Sequence, residues 1–180
     1  MIATRTYLEL TNPASFRPRK VDSGDVRVLQ SDPCPPALFR YLYAEVGRDY
    51  HWIDRLPWTD AQVQSYLADP GVSIWLLTVA GTLGGYFELR RDAQTGDDDN
   101  ASTEIAYFGL LPGFTGRGLG AHLLTEAVET AWAGGAQRIW LHTCSLDHPA
   151  AIANYIKRGF TVFKREQYDV PERTALDSHA

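Results

Sequence analysis

The sequence predicts an α+β fold, a mixed and mostly antiparallel central sheet flanked by helices, with elements in the order β-α-α-β-β-β-α-β-α-β. Three observations carry this. Two apolar, strand-like runs, residues 72–80 and 83–91, sit either side of Gly81-Thr82, a hairpin turn pair. Leu38, Phe39, Leu42, Tyr43 and Val46, and later Leu119, Leu123, Leu124, Ala127, Val128, Ala131 and Trp132, recur at helical spacing. Between these lies an apolar run, residues 105–111, that enters a glycine-rich turn opening directly into the second helix.

Taken in order, residues 6–10 form a short strand, and residues 12–20, rich in proline and basic side chains, read as a connector. Residues 1–24 are therefore an N-terminal extension with a possible extra strand. Val26-Arg27-Val28-Leu29 is the next strand, and Pro33, Pro35 and Pro36 suit the first turn of a helix that Gly47 ends. Residues 48–58 crowd Tyr50, His51, Trp52, Ile53, Leu56 and Trp58 among Asp49, Asp54, Arg55 and Pro57. Two readings stand for this segment: a hydrophobic clamp between helices, because aromatic rings mostly bury for packing, and a wall facing a ligand. Thr59 with Gln62 three positions later is a capping box, and Val63, Tyr66 and Leu67 form the buried stripe before Asp69-Pro70-Gly71.

Gly84-Gly85 inside the strand over 83–91 predicts a bulge or a close backbone approach. Residues 92–100 read as an acidic, solvated loop tip, and residues 102–111 return as a third strand. The helix after the glycines runs to Gly134-Gly135, with His122 on its exposed side. Residues 138–144 form a strand with Ile139 and Leu141 on one face and Trp140 and His142 on the other. Residues 150–158 are a short helix stopped by Gly159, residues 160–167 a last strand, and residues 168–180 a tail.

A chain of 180 residues, 44% apolar and 22% charged, is long enough to bury a core as one domain, placed over residues 25–167. The net charge of -5 argues against a nucleic-acid or anionic-membrane partner, while leaving room for a local basic site. Cys34 and Cys144 make no disulfide framework and fit a reducing compartment. The first residues lack the apolar core of a secretory signal and no run is long and apolar enough to span a membrane, so cytoplasm is the expected location. Monomer and homodimer are both compatible with the chain. His142, Cys144, Asp147 and His148 lie close together, but their spacing matches no usual zinc site; no metal is expected, and His142 and Cys144 are assigned to sheet packing.

Glycines let backbone N–H groups approach an oxyanion, and a helix start adds unpaired donors and partial positive charge. The turn before Leu119 therefore predicts an anion site, with three readings. A P-loop fails, because Gly113 and Gly118 have the glycine spacing but Leu119-Gly120 stands where lysine and a hydroxyl are required. A dinucleotide fingerprint matches at Gly116, Gly118 and Ala121, but the turn is lengthened by Pro112-Gly113-Phe114-Thr115, the strand before it belongs to a hairpin series, and no acidic residue ends the next strand.

The third reading draws on more of the chain. Phe114-Thr115-Gly116-Arg117-Gly118-Leu119-Gly120 resembles the acetyl-CoA loop of the GNAT N-acetyltransferases, Gln/Arg-x-x-Gly-x-Gly/Ala, with Gly118 and Gly120 in register and Leu110-Leu111-Pro112 before it. Ala151 to Phe160, with Tyr155 and Gly159-Phe160, resembles that family's second signature, Ala-x-x-x-Tyr-x-x-x-Gly-Phe. The resemblance covers about residues 25–167 and implies a GNAT-like sheet splayed between the strands over 102–111 and 138–144. It implies that backbone near Phe108, Leu110 and Leu111 holds the pantetheine arm of acetyl-CoA. Backbone amides of Thr115, Gly116, Arg117, Gly118, Leu119, Gly120 and Ala121 would cradle the pyrophosphate, and Arg117 would either add a contact or face solvent. Two positions depart from the pattern: Thr115 replaces the family's Gln or Arg, and His148 stands where many members have Asn before the last helix. The chain after residue 167 is short enough to omit the family's final strand, and the N-terminal strand is a candidate to fill that edge.

The implied reaction is acetyl transfer from acetyl-CoA to a primary amine of a small molecule by direct attack on the thioester. A lysine-like amine titrates near 10.4, so a base must remove its proton. Glu104, near the start of the strand leading to the loop, is the implied base; His51 is the alternative. Tyr155 occupies the family's acid position and can protonate the leaving thiolate. Tyr50, His51, Trp52 and Trp58 are expected in the acceptor pocket. Acetylation of a protein lysine or N-terminus, and a non-catalytic acyl-CoA-binding module, are the alternatives.

Overall fold

The computed structural model describes residues 1–92 and 101–170. The expected acidic loop tip and C-terminal tail fall mainly outside the described residues. Among the described residues the elements are β1 (Ile2–Leu10), β2 (Val26–Ser31), α1 (Pro36–Gly47), α2 (Asp60–Leu67), β3 (Val72–Val79), β4 (Thr82–Arg91), β5 (Ser102–Leu110), α3 (Leu119–Ala133), β6 (Arg138–Cys144), α4 (Ala151–Lys157) and β7 (Thr161–Asp169), with a 3₁₀ turn at Pro13–Ser15. One seven-stranded sheet holds them in the order β2-β3-β4-β5-β6-β1-β7. Every pairing is antiparallel except β5 with β6.

The N-terminal strand differs most from expectation. It is nine residues long rather than five, and it lies inside the sheet, hydrogen-bonded to β6 on one side and β7 on the other. Its alternation explains the placement: Leu8 and Leu10 are fully or almost fully buried, while Tyr7 and Glu9 point to the other face. β1 thus lies between β6 and β7 rather than at the sheet edge expected for it, and β7 forms that edge.

Two helix layers cover the sheet. α3 buries Leu119, Leu123, Leu124, Ala127, Val128 and Ala131 against Leu77, Phe87, Leu89, Ile105, Ile139 and Leu141, with Tyr155 and Phe160 completing that core. Each such leucine contributes about 1.5–3 kcal/mol on leaving water. On the opposite face α1 and α2 pack Phe39, Leu42, Val46 and Val63 on Ile74 and Tyr86. The capping box forms as expected, Gln62 N donating to Thr59 Oγ1 at 3.3 Å and Thr59 N donating to Gln62 Oε1 at 2.8 Å.

Two irregularities shape the middle of the sheet. The β3–β4 register shifts between Leu77/Gly85 and Thr78/Leu83, so the bulge predicted at the glycine pair is present. The turn itself lies one residue earlier than expected, at Ala80 and Gly81, both with positive φ. The second shift pairs Glu88 with Tyr107 but Leu89 with Ile105, leaving Ala106 extra. Because side chains alternate with period two, this bulge sends Tyr107 to the α1/α2 face while Ile105 and Phe108 face α3 and α4.

The connector after β1 lies against α3 and α4. Phe16 meets Trp132 edge-on with centroids 5.0 Å apart, Arg17 N donates to the Arg158 carbonyl at 3.1 Å, and Arg19 N donates to Thr125 Oγ1 at 2.9 Å. Val21 N donates to His122 Nδ1 at 3.2 Å. His122 is therefore buried, contrary to expectation: a helix face that looks polar in sequence is covered by a segment distant in the chain.

Candidate active site

β5 and β6 pair only over Ser102, Thr103 and Glu104 with Arg138, Ile139 and Trp140. Beyond that point the two strands separate, and a cavity of about 400 Å³ occupies the gap. Its walls come from both faces of the sheet. Phe108, Gly120, Ala121, Asn154 and Tyr155 line one side, and Val46, Tyr50, His51, Trp52, Asp54 and Tyr107 the other. The split expected between these strands is thus present, and a ligand lying in it can reach both layers.

At one end stands the glycine turn. Gly116 and Gly118 adopt positive φ of 75°, a conformation L side chains rarely take, and a Cβ on Gly116 would meet nothing within 4 Å. Gly118 is the N-cap of α3 and carries no side chain to cap it, so the first N–H groups of that helix are left for other acceptors. Thr115, Gly116, Gly120 and Ala121 line the cavity, as do Phe108 and Leu110 of β5. Leu111 and Leu119 are buried in the two cores, and the Arg117 guanidinium lies 5.6 Å from the centre of the Phe114 ring; none of these three side chains lines the cavity.

Tyr155 lies beside the gap, its ring against Phe108 and Phe160 at 6.1 and 6.2 Å. Burial, with the Asp147 carboxylate second, pushes its phenol well above the ordinary range, so the hydroxyl keeps its proton. Asn154, one residue before, donates from Nδ2 to the Gly120 carbonyl at 3.2 Å and ties α4 to the glycine turn. His148 accepts from Ala150 N on Nδ1 at 3.1 Å and meets Tyr50 edge-on at 5.9 Å, bridging the start of α4 to the aromatic segment.

Glu104 is 4% exposed and does not line the cavity. Its Oε2 pairs with Arg90 Nη2 at 2.6 Å, and its Oε1 lies 3.9 Å from His142 Nε2. Burial raises the carboxyl's pKa, partly opposed by Arg90. His142 does line the cavity, with 38% of its side chain exposed, which corrects its assignment to sheet packing; Cys144 lines it too. Burial, and then Arg5, lower the imidazole's pKa, favouring the neutral ring. His142 faces the Glu104 side because it follows Leu141 by one residue in a regular strand.

Part of the aromatic segment packs as a clamp between the helices, and part of it borders the cavity. Arg55 donates from Nη1 and Nη2 to the two oxygens of fully buried Glu88 at 2.7 and 2.8 Å, and its guanidinium lies 4.2 Å over the Tyr107 ring and 4.9 Å over Trp58. Tyr66 donates to Glu88 as well, and Arg55 N donates to Tyr43 Oη at 3.2 Å. Trp58 packs in this clamp, 5.2 Å from Tyr66, away from the cavity. Tyr50, His51 (φ 57°) and Trp52 line the cavity, Trp52 meeting Tyr107 at 4.9 Å.

Sequence reasoning missed several cavity residues: Asp54, Asp147, Asn154, Arg5, Arg19 and Arg158. Arg5 acts on His142 together with Asp54 and Asp147, so that side of the cavity carries both signs. Arg19, Lys157 and Arg158 come from the connector and the end of α4, while Asp54 stands with the aromatic segment and Asp147 before α4. Asp147 Oδ2 accepts from Thr143 Oγ1 at 2.6 Å and from Cys144 N at 2.8 Å, which holds the loop after β6. Among the described residues no group of three or more His, Cys, Asp or Glu could hold a metal ion, and no helix is long and apolar enough to cross a membrane.

The site is thus a mixed sheet opened between two parallel neighbours, with a glycine turn and a helix N-terminus at one end of the gap. The chain belongs to the acetyltransferase (GNAT) family, whose profile matches residues 39–160. It is 34% identical over 104 residues to an uncharacterized N-acetyltransferase of Mycobacterium tuberculosis, a match taking in 58% of this chain and 62% of that protein. In fold it is similar to a GCN5-related N-acetyltransferase from Kribbella flavida (TM-score 0.64, 20% identity, 97% of this chain and 60% of that one). It is also similar to an aminoglycoside acetyltransferase from an uncultured soil metagenomic sample (TM-score 0.62, 20% identity, 82% and 98% covered).

Proposed function

We propose that the protein transfers an acetyl group from acetyl-CoA to a primary amine of a small molecule. The observation that carries this reading is the cavity through the β5–β6 gap, which has the open glycine turn at one end and carboxylates among aromatic rings at the other. Family membership implies the acetyl-CoA donor. The residues present suit it: the β5 backbone from Ile105 to Leu110, paired to β4 but not to β6, borders the gap, and the α3 N-terminus offers N–H groups and partial positive charge to a pyrophosphate.

In this reading Phe108 and Leu110 hold the pantetheine arm through their backbone, and Thr115, Gly116, Gly118, Leu119, Gly120 and Ala121 supply the amides that face the phosphates. His148 borders the arm's entry beside α4. The acceptor amine enters from the side of Tyr50, His51, Trp52 and Tyr107, where Asp54 and Asp147 favour its cationic form on approach. Its proton then leaves towards Glu104. Glu104 stands behind the cavity wall, and in this reading His142, on that wall and 3.9 Å from Glu104, passes the proton on, accepting at one ring nitrogen and giving up the proton at the other. Tyr155, neutral and at the gap, protonates the departing thiolate.

The test is thiol release from acetyl-CoA by purified protein across a panel of small amines, with a lysine-containing peptide as comparison. Turnover with amines of the panel is expected. Saturable acetyl-CoA binding with no thiol release on any acceptor would sink the catalytic reading.

A further inference from the structure

Arg158 closes α4 and is 9% exposed, yet its Nε is buried with no hydrogen-bond partner. Arg19 comes from the connector, held by its backbone to Thr125: Arg19 N donates to Thr125 Oγ1 at 2.9 Å, and that hydroxyl lies 3.2 Å from the Arg19 carbonyl. Both side chains line the cavity along with Thr115, Gly116, Gly120 and Ala121. Among the described residues neither guanidinium makes an ion pair, whereas nearby Lys20 is matched by Glu126 and Glu129. The two are close enough for the Arg19 charge to depress the proton affinity of Arg158, with burial the larger cause. Two like charges held together without an acid are unfavourable until an anion joins them, and guanidinium forks match phosphate oxygens in geometry.

We propose that Arg19 and Arg158 together grip a phosphate group of the CoA donor. This rests on the donor reading given above. Arg19 lies outside the family-matched residues 39–160, so the connector, a segment carried by β1 and laid across α3 and α4, becomes part of the donor site. The ligand chemistry is a phosphate, supplied either by the pyrophosphate or by the ribose 3′-phosphate of CoA.

Calorimetric titration of CoA and 3′-dephospho-CoA into wild type, Arg19→Gln and Arg158→Gln tests the inference. Both variants are expected to bind CoA about ten- to a hundredfold more weakly, the loss of a charge-assisted contact. Arg19 is exposed and its backbone makes the fold contacts, so Arg19→Gln keeps the test valid if Arg158→Gln does not fold. If the 3′-phosphate is the ligand, wild type loses the same factor on going to dephospho-CoA and Arg19→Gln loses nothing further. If the pyrophosphate is the ligand, Arg19→Gln weakens both ligands equally. CoA binding by Arg19→Gln within twofold of wild type overturns the inference and leaves the donor reading intact. Wild type that binds no CoA at all overturns both.

Discussion

Glu104 and His142 face each other at the closed end of the strand gap, Oε1 to Nε2 at 3.9 Å, with the carboxylate buried and the imidazole on the cavity wall. Glu104 belongs to the last paired residue of β5 and His142 to the first residues of β6 past the pairing. A buried carboxylate and a side chain of the cavity wall are thereby brought together across two strands that have just begun to part.

For the proposed reaction, Glu104→Gln is expected to lower kcat/KM by about 10² or more, with CoA affinity unchanged. His142→Ala should lower it by about tenfold or more in the same way. Since burial raises the Glu104 carboxyl above its ordinary 4.5, wild-type kcat/KM rises with pH through that raised value as the carboxylate forms, and Glu104→Gln should lose this limb. A pH–rate profile of both proteins checks it; an identical acidic limb in the variant would show that another group is the base.

Tyr155→Phe keeps the ring contacts with Phe108 and Phe160 and removes only the hydroxyl. Its kcat should fall roughly ten- to a hundredfold at unchanged melting temperature. A poorer leaving group should suffer more than a good one, which assay with thioesters of differing thiol pKa would reveal.

Arg55→Met strands the Glu88 carboxylate in a fully buried site. The expected cost is about 3–5 kcal/mol, lowering Tm by roughly ten degrees. Arg55→Met/Glu88→Met should recover much of the loss, because the second change removes the uncompensated charge. Thermal melts of the three proteins test this; equal melting of single and double variants would contradict it.

Gly159 has φ 106° and any Cβ there would collide with the Ser15 carbonyl of the connector. Gly159→Ala is expected to destabilise by more than about 1 kcal/mol and to weaken CoA binding as well, because the displaced connector carries Arg19. Melting and calorimetry on the same sample separate the two effects.

Burial lowers the His122 pKa below the ordinary 6.5, with Glu126 and Glu129 opposing and Lys20 assisting. The folded protein then binds fewer protons here than the unfolded chain, so this contribution is fully present above pH 6.5 and is lost as pH falls below it. His142 shifts in the same direction. His122→Gln, which retains an acceptor for Val21 N, should flatten part of the Tm decline between pH 7 and 5.

How far the chain could be read follows from the range of the forces involved. Local periodicity located β5, α3, β6 and the Thr59–Gln62 capping box, since helix and strand patterns depend on neighbours a few residues apart. Turn chemistry was legible at the bulge near Gly84, while the turn slipped by one residue because Ala80 accepts a positive φ that sequence would give to glycine. His122 was misread because its cover comes from Val21, about a hundred residues away, and nothing on its own helix announces that partner.

By itself the sequence determined the class of fold, the glycine turn before α3 and the position of Tyr155 on α4, all set by contiguous residues. Tertiary structure alone decided that β1 enters the sheet between β6 and β7, that β5 and β6 part after Glu104, and that Arg19, Arg158, His142 and Asp54 meet at one cavity. Those residues span four separate segments of the chain, and only the closure of the sheet, driven by burial of its two apolar faces, brings them together.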